Sequence, residues 1–205
     1  MVKEKIIEIG KRLYFKNLTV GTSGNISIKT DEGIYITASG TALGNLSKEG
    51  IVLIDSDGKE IGEGKASSEK MLHVEIYKKR PDIKAIIHTH PAYLTTFASC
   101  HKTLNEPIMS ENILYFEEIP VAEYAMPSSM ELVHNTVKYL DKYDVVMMAN
   151  HGAIVCAKDI ETAFLKMETA EYYAQVTINT QILGGAKCLS KKDVQDLSNL
   201  KNNIH

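Results

Sequence analysis

The stretch IKAIIHTH, residues 83–90, restricts the fold more than any other part of this sequence. It is apolar over several consecutive positions, which predicts a buried strand, and Pro91 ends it. Because side chains alternate along a strand, His88 and His90 point to the same face, roughly 7 Å apart along the backbone at ~3.3 Å per residue. Two imidazoles on one face can bind one metal ion. Two half-exposed histidines at the end of a strand are the alternative.

Length and composition predict one globular domain over residues 1–205, since we find no repeat, linker or low-complexity stretch. The net charge of −3 gives no reason to expect a nucleic-acid partner. No apolar run approaches the ~20 residues of a membrane span, and the N-terminus lacks the apolar region of a signal peptide, so we expect a cytoplasmic protein without a membrane partner. We expect reduced, mostly buried thiols without a catalytic role at Cys100, Cys156 and Cys188.

Helices and strands alternate along the chain. Helical signals predict helices over 3–16, from the serines of ASSEK to Pro81, over 92–100, over 129–141 and over 159–183. Strands are predicted for NISIK, IYIT, IVLID and IKAIIHTH, and on both sides of a His-Gly turn in DVVMMANHGAIVCA. Residues 101–119 fit either irregular structure or a strand. This order predicts an α/β fold with a mixed sheet that helices cover on both faces.

Two further side chains lie at predicted breaks in the structure. His151 follows an apolar strand and precedes Gly152, which would display its side chain at the edge of the sheet, although most His-Gly pairs are simply turns. Glu69 lies in the first turn of a predicted helix, where the helix dipole alone favours a carboxylate. With His88 and His90 they give three imidazoles and one carboxylate, a donor set that suits a catalytic zinc site.

The other four histidines lack such a position: His73, His101, His134 and His205. His73 lies four residues after Glu69 and therefore on the same face of the predicted helix. We expect His73 to be packed in the interior or to support a metal-binding residue.

Three short Gly/Ser/Thr clusters each lie in a loop beside the end of an element: GTSGN, TASG and ASSE. Such loops present backbone N–H and hydroxyl groups that bind phosphate, and a helix N-terminus adds its dipole. None matches a P-loop or a dinucleotide fingerprint, and each alone would be an ordinary turn. Beside a metal-binding set they indicate a small phosphorylated substrate.

Four segments, in order, resemble the class II aldolase/adducin family: GTSGNIS, ITASG, ASSEKMLHVEIYKKRPDIKAIIHTHP and ANHGAIVCAKDIETAFLKMETAEYYA. The resemblance implies a three-layer α/β/α sandwich with a mixed, mostly antiparallel sheet, and a homotetramer with active sites at subunit interfaces. The metal ligands that it implies are Glu69, His88, His90 and His151. The phosphate-binding residues that it implies are Gly24, Asn25, Ser39, Gly40, Ser67 and Ser68.

The resemblance is strongest to members that act on L-fuculose 1-phosphate. It implies a zinc-dependent lyase that reversibly cleaves such a ketose 1-phosphate to dihydroxyacetone phosphate and a short aldehyde. Mn²⁺ or Co²⁺ would suit the same ligands. Glu69 would also be the catalytic acid/base, moving a proton at the carbon next to the carbonyl. Epimerase or dehydratase members with the same metal site, and an adducin-like binding module without turnover, are the alternatives.

Residue types within the motifs favour the aldolase. Epimerase members carry Asp where this chain has Glu69, and adducin-like members lose the metal ligands that this chain keeps. Glu111 is the candidate for the acidic residue of dehydratase members, although a solvated carboxylate is the simpler interpretation. Tyr115 is the candidate for the tyrosine that aldolase members place near the substrate, while the C-terminal tail here lacks the tyrosine that they also use.

Overall fold

A computed structural model describes residues 1–204, so that His205 lies outside the described residues. Its helices are α1 (Val2–Phe15), α2 (Lys70–Lys79), α3 (Ala92–Ser99), α4 (Ser110–Tyr115), α5 (Met130–Val137), α6 (Ile160–Ile182) and α7 (Lys191–Ile204), with a 3₁₀ turn at Leu43–Asn45. Its strands are β1 (Asn25–Thr30), β2 (Gly33–Thr37), β3 (Ile51–Ile54), β4 (Glu60–Ile61), β5 (Ala85–Thr89), β6 (Val121–Ala122), β7 (Val145–Met148) and β8 (Gly152–Ala157).

The strands form one sheet in the order β4-β3-β2-β1-β5-β8-β7-β6. Neighbouring strands are antiparallel except for β6 and β7, which are parallel. The strand predicted from IKAIIHTH is β5, which lies in the interior of the sheet between β1 and β8. Every residue of β5 is buried, because helices cover both faces of the sheet there, and this explains the apolar run over residues 85–87. The predicted mixed, mostly antiparallel sheet is confirmed.

Two hydrophobic clusters lie on opposite faces of the sheet. One contains Ile87 of β5 together with apolar residues of α1, α3 and α6, and the other contains Ile86 together with apolar residues of α2 and α5. Neighbouring residues of one strand belong to different clusters because their side chains alternate between the faces. The arrangement is helices, sheet, helices, and the predicted three-layer α/β/α sandwich is confirmed.

The predicted helices agree with α1, α3 and α6 to within one residue at each end. Asp159 begins α6 as an N-cap, accepting a hydrogen bond from the Thr162 backbone N–H at 2.8 Å. The helix predicted for 129–141 ends earlier, at Val137, and continues as turns. Residues 101–119, for which a strand or irregular structure was predicted, contain helix α4. No helix within residues 1–204 has both the length and the apolar character needed to cross a bilayer.

The cysteines differ in part from the expectation of buried thiols. Cys156 is buried within β8, whereas Cys100 and Cys188 are exposed. Cys100 follows the last residue of α3, and Cys188 lies in the loop before α7. Both cysteines lie just outside a helix, and this position leaves them exposed although the thiol has low polarity.

Candidate active site

The imidazoles of His88, His90 and His151 converge at one edge of the sheet. His88 lies in β5, His90 directly follows it, and His151 lies in the turn between β7 and β8. Their ring centroids are 4.8 to 4.9 Å apart, and one ligand-type nitrogen from each lies within 4.8 Å of the others. Within residues 1–204 this is the one group of His, Cys, Asp or Glu side chains that is close enough to hold a metal ion.

Two glycines let neighbouring chain segments approach these histidines. A Cβ on Gly152 would lie 2.5 Å from Cδ2 of His90 and 2.6 Å from the Thr89 carbonyl oxygen. Gly24 has a φ of +84°, and a Cβ there would lie 2.6 Å from the His88 carbonyl oxygen. The His-Gly pair is therefore more than a turn, because the glycine makes room for the His90 ring.

Hydrogen bonding fixes the tautomer of His88. Its Nδ1 lies 2.9 Å from the Ala153 carbonyl oxygen, which can only accept, so Nδ1 carries the hydrogen. In the neutral ring the Nε2 lone pair then faces the cluster, 3.1 Å from Nε2 of His90 and 3.2 Å from Oε2 of Glu69, whereas in the protonated ring Nε2–H donates to Oε2. A backbone carbonyl that orients a ring in this way is the usual support of a metal-binding histidine.

Glu69 lies directly before the first residue of α2, one position earlier than the sequence indicates. Its side chain is buried, with an exposed fraction of 8% for the residue. Oε2 accepts a hydrogen bond from Nδ2 of Asn25 at 3.0 Å. Oε1 is buried without a hydrogen-bond partner and lies 3.6 Å from Nε2 of His151, whose Nδ1 is also buried without a partner. Because an unpaired buried carboxylate oxygen is costly, these residues fit a divalent cation between them.

Burial and neighbouring charges set the protonation of the site. Burial, with repulsion from His88, lowers the pKa of His90 to about 3 and that of His151 to about 4. Burial opposes ionisation of Glu69, but attraction to His88 and hydrogen bonds with His88 and Asn25 outweigh it, so the pKa of Glu69 lies well below its ordinary value. At neutral pH His90 and His151 are neutral and Glu69 is charged, which are the forms that bind a metal.

A cavity of about 210 Å³ lies beside the cluster and is formed by the three predicted small-residue loops. It is smaller than the roughly 300–1,000 Å³ of sites for drug-sized ligands, so a small molecule would fill it. His88 lies behind its wall, fully buried. The residues that line it are Thr22, Ser23, Gly24, Asn25, Ala38, Ser39, Gly40, Ser67, Ser68, Glu69, His90, Pro127, Ser128 and His151.

The six predicted phosphate-binding residues all line this cavity but differ in their surroundings. Three are exposed to solvent: Ser39, Gly40 and Ser68. Ser67 is buried, and its hydroxyl accepts a hydrogen bond from the Glu69 backbone N–H at 3.3 Å. Asn25 is buried, and its amide donates to Glu69. Ser67 and Asn25 therefore hold Glu69 in place as well as line the cavity.

The family model described as "Class II Aldolase and Adducin N-terminal domain" matches residues 4–178. The chain belongs to this family. The prediction made from its motifs is therefore confirmed, and the matched region contains the whole histidine cluster and all three loops.

Similar proteins include several class II aldolases. An L-fuculose phosphate aldolase from Methanocaldococcus jannaschii is 37% identical over 178 residues, which are 87% of this chain and 96% of the relative. A 3-oxo-tetronate 4-phosphate decarboxylase from Haemophilus influenzae is 31% identical over 96% of each chain. A solved structure named L-fuculose 1-phosphate aldolase superposes with a TM-score of 0.90 at 31% identity, covering 98% of this chain and 96% of its own.

These relatives establish the enzyme class of the chain. Aldolases and decarboxylases both cleave carbon–carbon bonds without hydrolysis or oxidation and are lyases. The prediction of a lyase is confirmed, and the class II aldolase family is metal-dependent. In this chain the imidazoles of His88, His90 and His151 lie close enough together to hold one metal ion.

Two residues around the site were not among those expected from the sequence. Pro127 and Ser128, in the loop before α5, also line the cavity. Ser128 has a φ of +67°, in the left-handed region. The only signal was the turn-forming PSS sequence ahead of a helix, which predicts a loop but not the direction in which it faces.

The two remaining candidates lie elsewhere in this chain. Glu111 and Tyr115 are exposed on α4 and line a groove with Tyr172 of α6, away from the histidine cluster. The simpler interpretation of Glu111, a solvated carboxylate, agrees with this position.

Proposed function

We propose that this class II aldolase family member reversibly cleaves a ketose 1-phosphate similar to L-fuculose 1-phosphate, giving dihydroxyacetone phosphate and a short aldehyde. The observation that carries the proposal is that Glu69 and the imidazoles of His90 and His151 share one cavity with three small polar loops. Similarity to two proteins named as aldolases of L-fuculose phosphate supports this choice of substrate.

Under this proposal His88, His90, His151 and Glu69 hold Zn²⁺. Imidazole nitrogens with one carboxylate are a common donor set for this ion, and Mn²⁺ and Co²⁺ suit it as well. At neutral pH the uncharged rings of His90 and His151 and the charged carboxylate of Glu69 release no proton when the ion binds. The unpaired Oε1 of Glu69 is the oxygen that a cation would satisfy.

The phosphate group of the substrate would be held by Gly24, Asn25, Ser39, Gly40, Ser67 and Ser68. Among the residues that line the cavity no side chain is Lys or Arg. Binding would depend on backbone N–H groups, hydroxyl groups and the N-terminus of α2, which begins at Lys70. A phosphate held there lies beside the metal ligands, so it would present the next carbons of the sugar to Glu69.

The bond that breaks lies between the third and fourth carbons of the ketose. A bound divalent cation supplies a Lewis acid that stabilises the negative charge developing on the substrate oxygens. As the hydroxyl group on the fourth carbon gives its proton to a water molecule and becomes the aldehyde, the electron pair of the broken bond moves to the third carbon. Glu69 is the group placed to take up a proton and deliver it there, and to remove it in the reverse direction. The three small-residue loops, by binding the phosphate, keep the third carbon of the substrate next to Glu69.

We also propose that the protein is a homotetramer with its active sites at subunit interfaces. Exposed aromatic side chains support an interface, including Tyr115 and Tyr172, which line one groove. Contact through this groove would bring α4 of one subunit towards another subunit.

Product analysis tests the proposed function. The purified protein, loaded with Zn²⁺, is incubated separately with L-fuculose 1-phosphate, L-ribulose 5-phosphate, methylthioribulose 1-phosphate and 3-oxo-tetronate 4-phosphate. We expect dihydroxyacetone phosphate from the first substrate at a rate well above the other three. An epimerised pentose phosphate, a dehydrated product or released CO₂ as the fastest reaction would replace the proposal with that activity. The absence of bound metal and of any turnover would support a binding module.

Removing the two serine hydroxyl groups should weaken phosphate binding. Hydrogen bonds to charged groups contribute about 1.5–3 kcal/mol, so the Ser67→Ala, Ser68→Ala double variant should raise the inhibition constant of inorganic phosphate about tenfold or more. Ser68→Ala alone should account for part of this, because Ser67 also contacts the Glu69 backbone. Ser56→Ala, an exposed serine outside the cavity, is the control. Equal inhibition constants for the double variant and the control would contradict this role.

A further inference from the structure

A row of buried polar side chains leads from Glu69 into the interior of the protein. Asn25 and Ser27 point to one face of β1, because they are two residues apart, and His73 and Tyr77 point to one face of α2, because they are four apart. The exposed fraction of each of these four residues is 4% or less. The proposed mechanism makes no use of His73, Ser27 or Tyr77, and buried polar groups are costly unless they are paired.

These four side chains form a continuous hydrogen-bonded chain. The hydroxyl of Tyr77 lies 2.8 Å from Oγ of Ser27, and Oγ of Ser27 lies 2.7 Å from Nδ1 of His73. Nε2 of His73 forms a short hydrogen bond with Oδ1 of Asn25. Nδ2 of Asn25 donates to Oε2 of Glu69 at 3.0 Å. The chain begins in the core and ends on the carboxylate that faces the histidine cluster.

Each hydrogen bond in the chain has one consistent direction. Ionised Glu69 can only accept, so Asn25 turns its NH₂ group towards it and its oxygen towards His73. His73 must then carry its hydrogen on Nε2 and accept at Nδ1 from the Ser27 hydroxyl. Ser27 in turn accepts from the hydroxyl of Tyr77. Burial is the main cause of the low pKa of His73, about 3, and it keeps the ring neutral, as this tautomer requires.

The opposite tautomer of His73 would reverse the amide of Asn25. A ring that accepts at Nε2 would bind the NH₂ group of Asn25, and the amide oxygen would then face the Glu69 carboxylate. Two acceptors at about 3 Å repel each other, so Glu69 would lose its donor and could rotate. The tautomer of a buried histidine thus determines whether the carboxylate is held.

We propose that His73 is a positioning residue: supported by Ser27 and Tyr77, it fixes the amide orientation of Asn25 and thereby holds the Glu69 carboxylate in its catalytic position. The part of this inference that concerns catalysis rests on the proposed function. The part that concerns orientation does not, and it can be tested in the metal-free protein without substrate.

Three variants at position 73 separate positioning from packing. His73→Gln keeps a donor close to the place of Nε2, and His73→Leu keeps volume without a donor. His73→Asn places its amide near Nδ1 and cannot reach Asn25. Val74→Ala, a buried truncation at the next position of α2, is the control for loss of packing, since Val74 lies beside a different cavity.

The first readout is nuclear magnetic resonance of the metal-free protein. Imidazole ¹⁵N shifts of the wild type should show hydrogen on Nε2 of His73, and the Asn25 side-chain amide should be protected from solvent exchange. That protection should be retained in His73→Gln and in Val74→Ala and be lost in His73→Leu and His73→Asn. Hydrogen on Nδ1, or an Asn25 amide that is equally protected in all variants, would overturn the proposal.

The second readout is proton exchange at the hydroxymethyl carbon of dihydroxyacetone phosphate, with the metal content of each variant matched. Loss of a hydrogen-bond partner that supports a metal-site residue typically lowers activity about 10–100-fold. We therefore expect kcat to fall by that factor in His73→Leu and to stay within about threefold of the wild-type value in His73→Gln. In an Asn25→Ala background, His73→Leu should have no further effect. Additive losses would show that His73 acts by packing alone.

The two readouts distinguish failure of this inference from failure of the proposed function. If the wild-type protein exchanges no proton of dihydroxyacetone phosphate, the proposed function fails, while the resonance measurements still decide whether His73 orients Asn25. If exchange occurs and His73→Leu matches Val74→Ala in rate, the positioning role is overturned and the proposed function stands.

Discussion

Glu69→Gln should retain bound metal and yet lose proton transfer. The imidazoles of His88, His90 and His151 remain to hold the ion, and three nitrogen ligands are sufficient for zinc. The amide oxygen can still accept from Asn25, so the side chain keeps its place. An amide does not take up a proton at neutral pH, however, and general acid/base groups contribute typically 10²- to 10⁴-fold, so we expect a rate loss of about that size.

Exchange of the hydroxymethyl proton of dihydroxyacetone phosphate with deuterated water measures this step directly. The reaction needs no aldehyde, so the result does not depend on which ketose phosphate is the substrate. Metal content is measured in the same samples by elemental analysis. Glu111→Gln, which removes the charge of an exposed glutamate on α4, is the matched control and should exchange at the wild-type rate.

Metal-loaded Glu69→Gln that still exchanges the proton at the wild-type rate would show that Glu69 is not the base. Loss of exchange in Glu111→Gln would then transfer the role to Glu111, acting across a subunit interface. A variant that loses both metal and exchange would show that Glu69 is an essential ligand, and its chemical role would have to be measured with restored metal.

The fold could be predicted from sequence where the pattern was long and regular. The 23 residues of α6 carry both a helical period and an Asp159 cap, and β5 begins with three apolar residues, 85–87. Strands β4 and β6 have two residues each, too few for any period to be detected. Helix α4 has six residues, and its SENILY sequence gives no start signal stronger than that of a turn. Short elements depend on their neighbours in space, which spacing along the chain does not reveal.

The candidate site was predictable because its residues lie at structural breaks. The positions of His88, His90 and His151 in and after strands predict a shared site, and the structure brings the three side chains together. The hydrogen bonds behind Glu69 were not predictable, since Ser27 and Tyr77 appear in the sequence as ordinary residues of a strand and a helix. Only the packing of α2 on the sheet places them in contact.

His90→Ala should release the metal ion and abolish activity while the fold survives. The ring is partly buried at the wall of the cavity, and its hydrogen-bond contact is with His88, so truncation leaves a space open to solvent rather than a closed hole in the core. Loss of a residue that hydrogen-bonds to a metal ligand typically lowers metal affinity about 10–100-fold. Loss of a ligand itself should therefore lower metal affinity by more than about 100-fold.

Three measurements on this variant decide the assignment. Elemental analysis should find little metal after dialysis, proton exchange of dihydroxyacetone phosphate should fall to background, and the melting temperature of the metal-free variant should match that of the metal-free wild type. His134→Ala, which removes an exposed histidine of α5, should change none of the three. Full metal occupancy in His90→Ala would exclude His90 as a ligand, and a melting temperature far below that of the metal-free wild type would show that the ring supports the fold instead. Because the wild-type comparison is itself metal-free, the stability that the ion adds by binding the folded chain is absent from both samples, and the difference reports the imidazole alone.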